Sequence, residues 1–306
     1  MRGLIVRLLA AMALLLPGYA QAQPSAPSAP ISYAGKTVLV TGSTEGLGRS
    51  LALALAAQGA NVIVHGRNAE GGQSLVDEIK AMGKGSAAFY PADFSSLATV
   101  REFADTIART YPKLDLLVNN AGVAVAATAP RRVSNDGHEL QFQVNYLAGW
   151  ILANRLRPNL AAGKPSRVIN ISSSTASAIN WDDVMLEQPG AARRGYGQSK
   201  LAQVTMTVAL APSFARDGIT MIAVHPEDMM NTAMVTRDLG RPARTTVEQG
   251  RDHVMSLITA PTLEAGAYYV QGKVTEPYNP QPKDPAAREK LIKLSTDLTG
   301  VAATGL

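Results

Sequence analysis

From Lys36 onward, short apolar runs alternate with amphipathic stretches. Thr37–Val40, Asn61–His65, Ser86–Tyr90, Leu114–Val118, Arg167–Ser172 and Ile219–Val224 read as strands. Runs such as Val38-Leu39-Val40, apolar without interruption, are those of strands covered on both faces. Between them Gly46–Gln58, Ala69–Met82, Ser95–Thr110, Ser134–Leu156 and Tyr196–Arg216 read as helices, the first two stopped by Gly59 and Gly83. This alternation predicts an α/β fold: one doubly wound parallel sheet with helices on both faces. No internal repeat or break in composition divides it, so residues 35–306 are expected to form one domain.

The first residues follow a different pattern. Arg2 and Arg7 precede the apolar run Leu8–Leu16, and Ala20-Gln21-Ala22 supplies a small-x-small cleavage pattern. That order predicts a signal peptide over residues 1–22 and an exported, periplasmic product; a cytoplasmic or membrane-anchored chain is the alternative. The apolar run is short for a membrane span. Residues 23–34, rich in Pro, Ser and Ala at their start, are expected to be a flexible lead-in.

Composition removes several classes of chemistry. The chain has no cysteine, which excludes disulfides, thiol nucleophiles and cysteine-ligated metals. A net charge of +5, with both signs interspersed, gives no tract for nucleic acid. No metal site is expected.

The turn Thr41-Gly42-Ser43-Thr44-Glu45-Gly46-Leu47-Gly48 lies between a strand and a helix. Glycines there permit a tight turn and close approach of backbone to phosphates, and the helix N-terminus supplies unpaired N–H groups and a positive dipole end. A dinucleotide pyrophosphate is the ligand expected. The second strand ends in His65-Gly66-Arg67-Asn68, without the carboxylate that would hold the ribose hydroxyls of NAD. Arg67 favours the 2′-phosphate of NADP, Glu45 opposes it, and NAD is the alternative.

Tyr196 and Lys200 stand four apart and share one helix face. An ammonium beside a phenol would lower its pKa toward the range useful for proton exchange with a carbonyl or alcohol oxygen. Ser172 and Ser173 end a strand at the edge where ligands of such sheets bind, and either hydroxyl is placed to stabilise a substrate oxygen. Leu117–Gly122 forms a small, polar turn after another strand. Asn145, within the long helix, is either a packing amide or the seat of a water against the lysine.

Together these motifs, from about Lys36 to Val301, resemble the short-chain dehydrogenases/reductases, whose fold is Rossmann-like. The resemblance implies Ser173, Tyr196 and Lys200 as catalytic triad and Asn145 as fourth member. Ser173 is preferred to Ser172 because the family places the active hydroxyl second in the pair. It further implies cofactor contacts from Gly42, Ser43, Thr44, Gly46, Leu47 and Gly48, and from Asn119, Ala121 and Gly122. Asp93 would meet the adenine, its other reading being a helix N-cap. Lys200 would bind the nicotinamide ribose beside Tyr196, and Pro226 and Thr232 would close over the nicotinamide end.

The 23 positions from Ser173 to Tyr196 resemble the retinol-dehydrogenase-like branch, which includes the WW-domain-containing oxidoreductases. Gly266-Ala267-Tyr268-Tyr269 and the late helix Leu291–Leu298 resemble that branch's C-terminal end. The branch implies a hydrophobic alcohol, aldehyde or ketone as substrate. Trp181, Met185 and Leu186 are its candidate contacts, with a purely structural segment as the alternative. Dimers or tetramers are the family's usual assemblies. One departure stands out: Glu227 follows Pro226 where the family has Gly, adding charge and removing backbone freedom. Residues 233–246 are expected to form a lid. The function expected is hydride transfer between a nicotinamide cofactor and an alcohol or carbonyl compound; a catalytically weak nucleotide-binding regulator on the same fold is the alternative.

Overall fold

The computed structural model describes residues 29–305. The expected signal peptide lies outside the described residues, as does the start of the lead-in. The end of the lead-in is anchored: the Ile31 N–H donates to the Thr259 carbonyl at 2.8 Å, and Tyr33 is buried with its hydroxyl on the Ile258 carbonyl.

The strands are β1 (Thr37–Val40), β2 (Asn61–Gly66), β3 (Ser86–Pro91), β4 (Leu116–Asn119), β5 (Ser166–Ile171), β6 (Ile219–His225), β7 (Tyr268–Val270) and β8 (Lys273–Val274). They form one sheet in the order β3-β2-β1-β4-β5-β6-β7-β8, parallel except for the antiparallel final pair. The order reverses between β1 and β4, which opens a crevice at the carboxyl ends of those strands.

Alternation along each strand sends neighbouring side chains to opposite faces. On one face Leu39, Ile63, Leu117, Val168 and Met221 pack under α3 (Leu97–Thr110), α4 (Ala148–Arg155) and α6 (Gly195–Arg216). On the other, Val38, Val40, Val62, Val64, Leu116 and Val118 pack under α1 (Gly46–Ala57), α2 (Ala69–Met82) and α7 (Val247–Thr259). With α5 (Arg157–Ala162) and α8 (Pro285–Thr299), these helices cover both faces, as the alternation predicts. Among the described residues, no helix is long and apolar enough to cross a membrane.

The helix expected over Ser134–Leu156 starts late. Val133 and Glu139 pair as an antiparallel bridge around a turn in which Gly137 has φ +84°, so residues 134–139 are not helical. The helix then enters as a π-turn over Phe142–Leu147 before continuing as α4. β7 and β8 were not among the expected strands; at three and two residues they are too short to show periodicity.

Candidate active site

A cleft of about 1030 Å³ runs along the carboxyl edge of the sheet. At one end lies the glycine turn. A methyl added to Gly48 would come within 2.3 Å of the Gly42 carbonyl oxygen and 2.4 Å of Asn120 Nδ2; one added to Gly42 would meet Ala121 Cα at 2.8 Å. Asn120 Nδ2 donates to the carbonyls of Thr41 and Gly42 at 2.8 and 3.1 Å, and the Thr41 hydroxyl accepts from the N–H groups of Asn120 and Ala121. The turn is thereby pinned to the end of β4. Glu45 precedes α1 without a side-chain cap, leaving the first N–H groups of the helix facing the cleft.

Gly42, Thr44, Gly46, Leu47 and Gly48 line the cleft as expected, and Ser43 does not. The Ser43 hydroxyl is buried against β2, accepting the His65 N–H at 3.0 Å. His65 is the residue the sequence did not single out. Its Nδ1 accepts the Gly42 N–H at 3.0 Å and its Nε2 faces the Ala92 carbonyl at 3.2 Å, which sets the Nε2–H tautomer. Its ring stacks on Phe94 at 4.1 Å. Burial holds its pKa down at about 3, so the ring is a neutral peg between β2 and the turn.

Beyond His65, Arg67 and Asp93 line the same end, 3.9 Å apart and well exposed. Asp93 Oδ1 accepts the Ser95 N–H at 2.9 Å; the N-cap of α3 is Ser96, not Asp93.

Ser173, Tyr196 and Lys200 come together on the cleft wall where β5 ends and α6 begins. Ser172 and Ser173 part company here. The Ser172 hydroxyl donates to the Lys200 carbonyl at 2.9 Å, whereas the Ser173 hydroxyl lies on the cleft wall with Tyr196, 3.0 Å from the Thr175 hydroxyl and accepting the Thr175 N–H at 3.2 Å. Tyr268 Oη donates to the Ser173 carbonyl at 3.0 Å. Lys200 Nζ donates to the Ile171 carbonyl at 2.8 Å and stands 5.5 Å from the centre of the Tyr196 ring. Burial pushes the Tyr196 phenol up to about 12, with Ser173 opposing, and burial alone brings Lys200 down to about 7. The lysine does not lower the phenol as expected: burial dominates, and the influence opposing it comes from Ser173.

Asn145 sits inside the π-turn, off the cleft. Its Oδ1 accepts the Val123 N–H at 2.7 Å, and its Nδ2 donates to the Val123 carbonyl at 3.0 Å and to the Ser199 hydroxyl at 2.9 Å. It clamps the loop after β4 to α6. Ala121 and Gly122 line the cleft from that loop. Asn119 does not; it is buried, donating to Asn170 Oδ1 at 2.8 Å across the β4–β5 register.

Pro226 and Thr232 line the cleft, and Thr232 Cγ2 would touch a methyl on Gly46 at 3.3 Å, which brings the segment after β6 onto the glycine turn. Residues 233–241 continue along the cleft as a π-turn over Met234–Asp238. Glu227 carries no left-handed strain; Met229 takes that conformation instead, at φ +48°. The Glu227 carboxylate accepts from Gln271 Nε2 at 2.6 Å and lies 3.6 Å from His253 Nδ1.

Trp181, Met185 and Leu186 are not brought into the cleft. Trp181 packs on the main core beside Lys290, the Met185 carbonyl accepts from Arg131 Nε at 2.6 Å, and Leu186 is buried. This segment is structural, and the cleft takes its apolar lining from Val125, Leu140, Val144 and Val235. Their residue types are those of ordinary core positions, so sequence offered no signal for them.

The sequence profile of short chain dehydrogenases matches residues 36–240. Human retinol dehydrogenase 12 is 30% identical over 284 residues, covering 89% of this chain and 88% of that protein. Human retinol dehydrogenase 13 is 38% identical over 198 residues, where this chain spans 58% of its length. Among solved structures, the Pseudomonas aeruginosa RhlG/NADP active-site complex superposes with a TM-score of 0.62 at 29% identity, covering 78% of this chain and 95% of that one. With its sheet order, glycine turn and Tyr196–Lys200 pair, the chain belongs to the short-chain dehydrogenases, as a retinol-dehydrogenase-like, NAD(P)-dependent oxidoreductase.

Proposed function

We propose that the protein reduces an apolar aldehyde or ketone with NADPH, using Tyr196 as proton donor, Ser173 as second donor to the substrate oxygen, and Lys200 beside them. The observation that carries this reading is that Ser173, Tyr196 and Lys200 line the wall of a cleft that the glycine turn also lines.

The residues fit a dinucleotide. The turn is closed to any side chain at Gly42 and Gly48, and the uncapped start of α1 offers N–H groups for a pyrophosphate. Arg67 is placed to grip a 2′-phosphate, with Asp93 as its partner otherwise. Gly122 leaves the loop after β4 flat, and Thr232 and Pro226 border the far side. When bound, the cofactor supplies the hydride.

A phenol held near 12 remains protonated at neutral pH, which suits proton donation to a carbonyl oxygen gaining negative charge. Ser173 shares that oxygen and steadies the charge as it develops. Lys200, poised near 7, gains its proton readily when negative charge appears on Tyr196, and so tempers the cost of the phenolate. Asn145 acts at one remove, by fixing Val123. No observation supports the regulator reading.

The test is oxidation of NADPH and NADH with a panel of apolar carbonyl compounds. Wild type is expected to turn over, and Tyr196→Phe to lose at least about a thousandfold in kcat, on the order of a deleted general acid, while still binding cofactor by fluorescence. Full turnover by Tyr196→Phe would overturn the proposal. The leader-like residues 1–22 support export; N-terminal sequencing of fractionated protein tests it, with a start after Ala22 expected.

A further inference from the structure

We propose that the substrate carries a carboxylate at the end remote from its carbonyl, held by Arg132 and Arg193. This rests on the oxidoreductase reading above and narrows its substrate class. Both arginines line the cleft beside the Tyr196 end. Arg193 belongs to the 3-10 turn Ala191–Arg194 that leads directly into α6, three residues before Tyr196. Arg132 stands beside Leu140, whose N–H donates to its carbonyl at 3.0 Å and whose side chain lines the cleft.

The two rims are joined by close packing. A methyl on Gly195 would come within 2.3 Å of Gln141 Nε2 and 2.9 Å of Glu139 Oε1. The chain carrying Arg193 therefore rests on the chain that follows Arg132, and both arginines line the same cleft.

Charge and place in the fold separate these two from the other cations of the cleft. Arg67 faces Asp93, Arg237 faces Glu45 and Asp238, Lys200 donates to the Ile171 carbonyl, and Arg241, which also has no acidic partner, belongs to the segment after β6, its N–H on the Val235 carbonyl. Among the described residues, neither Arg132 nor Arg193 forms an ion pair or a side-chain hydrogen bond. The acidic residues of the cleft are committed elsewhere. Glu227 is tied to Gln271, and Asp228 accepts from the Ser174 hydroxyl at 2.7 Å. Glu139, on the chain that follows Arg132, is buried and satisfied by the Phe142 N–H and Gln141, and Glu187, which lines a neighbouring pocket with Arg193, faces Arg131 at 3.9 Å. Two guanidiniums without acidic partners on the lining of a cleft that also presents Val125, Leu140 and Val144 describe a site for a molecule that is apolar in the middle and anionic at one end.

The experiment uses the full chain, NADPH and three substrates of equal length: an aliphatic aldehyde ending in a methyl group, one ending in a carboxylate, and the methyl ester of the second. Wild type is expected to favour the carboxylate over the ester by about tenfold in kcat/KM, the equivalent of one charge-assisted contact. The gain should fall in KM and shrink in 0.5 M salt (on the order of a 3–5 Å screening length). The double variant R132Q/R193Q is expected to bring the carboxylate-to-ester ratio close to one, and R132K/R193K to retain part of it. Equal kcat/KM for all three substrates in wild type would overturn the proposal and leave the oxidoreductase reading standing. So would a rise in KM for NADPH in R132Q/R193Q that is common to all three, since the arginines would then serve the cofactor. Absence of Tyr196-dependent turnover with any carbonyl would remove the oxidoreductase reading, and this inference with it.

Discussion

The carboxamide of Asn145 grips both backbone groups of Val123, accepting its N–H at 2.7 Å and donating to its carbonyl at 3.0 Å. One side chain thus imitates a strand partner for a loop that has none, and its remaining donor goes to Ser199 on α6. The π-turn over Phe142–Leu147 is what turns Asn145 toward the loop and away from the helix's own ladder. Replacing it with alanine leaves a part-buried N–H and carbonyl without partners. Asn145→Ala is expected to lower stability by about 1–3 kcal/mol in urea unfolding and to weaken cofactor binding, because Ala121 and Gly122 lie in the freed loop.

The glycine turn has no room for a methyl at Gly48, where the Gly42 carbonyl would stand 2.3 Å away. Gly48→Ala must push the turn off Asn120. Cofactor Kd, followed by nicotinamide fluorescence, is expected to rise by at least about tenfold, or roughly 1.4 kcal/mol. Thermal stability should fall only modestly, since the core under α1 is unaltered.

Arg67 and Asp93 face each other at 3.9 Å in solvent, a contact worth little in itself. Arg67 is thus free to turn to a 2′-phosphate. Arg67→Gln is expected to raise KM for NADPH by roughly tenfold to a hundredfold, in keeping with loss of a bidentate charge-assisted pair, with little effect on NADH. Equal effects on both cofactors would show that Arg67 does not select between them.

Lys200 sits in the fold with its pKa lowered from 10.5 to about 7 by burial. A folded pKa below the unfolded one means that the unfolded chain binds more protons between those values, so stability rises with pH across about 7 to 10.5. Below that window the buried lysine carries its full penalty, up to about 5 kcal/mol. Lys200→Met is expected to raise the melting temperature most at pH 6–7, with the advantage gone by about pH 10.5, while activity is lost. An advantage that does not depend on pH would point to packing in place of charge.

Much of this molecule is legible in its sequence because its rules are local. Val38-Leu39-Val40 and Val62-Ile63-Val64 announce buried strands, and the glycine turn falls where a strand must give way to a helix. Tyr196 and Lys200 share a face by helix geometry alone. What escaped has its cause in contacts distant along the chain. His65 reads as a strand residue, and only the meeting of β1, β2 and β3 makes it a peg for Gly42. Asn119 and Asn120 are indistinguishable by type, yet the parallel register sends one to Asn170 and the other to the turn. Trp181 and Leu186 have the apolar character of a substrate wall, but the core takes them first.

Tyr268 acts on the site from a neighbouring strand. It pairs with Ala223 of β6, is almost fully buried, and places its hydroxyl on the Ser173 carbonyl at 3.0 Å. That carbonyl also accepts the Ala176 N–H at 3.1 Å, so deleting the phenolic oxygen loosens the Ser173 backbone without orphaning it. The direct effect on stability should then be small, about 1 kcal/mol. The effect on turnover should be larger, because the Ser173 hydroxyl must meet the substrate oxygen together with Tyr196, and misplacement by a fraction of an ångström weakens both contacts. Tyr268→Phe is expected to lower kcat by about three- to tenfold with KM little changed, the pattern of an interaction felt only in the transition state. A double-mutant cycle locates the cause. If Tyr268 works through Ser173, then Tyr268→Phe made in a Ser173→Ala background should cost almost nothing further in kcat. An undiminished loss in that background would mean that Tyr268 shapes the cleft by another route.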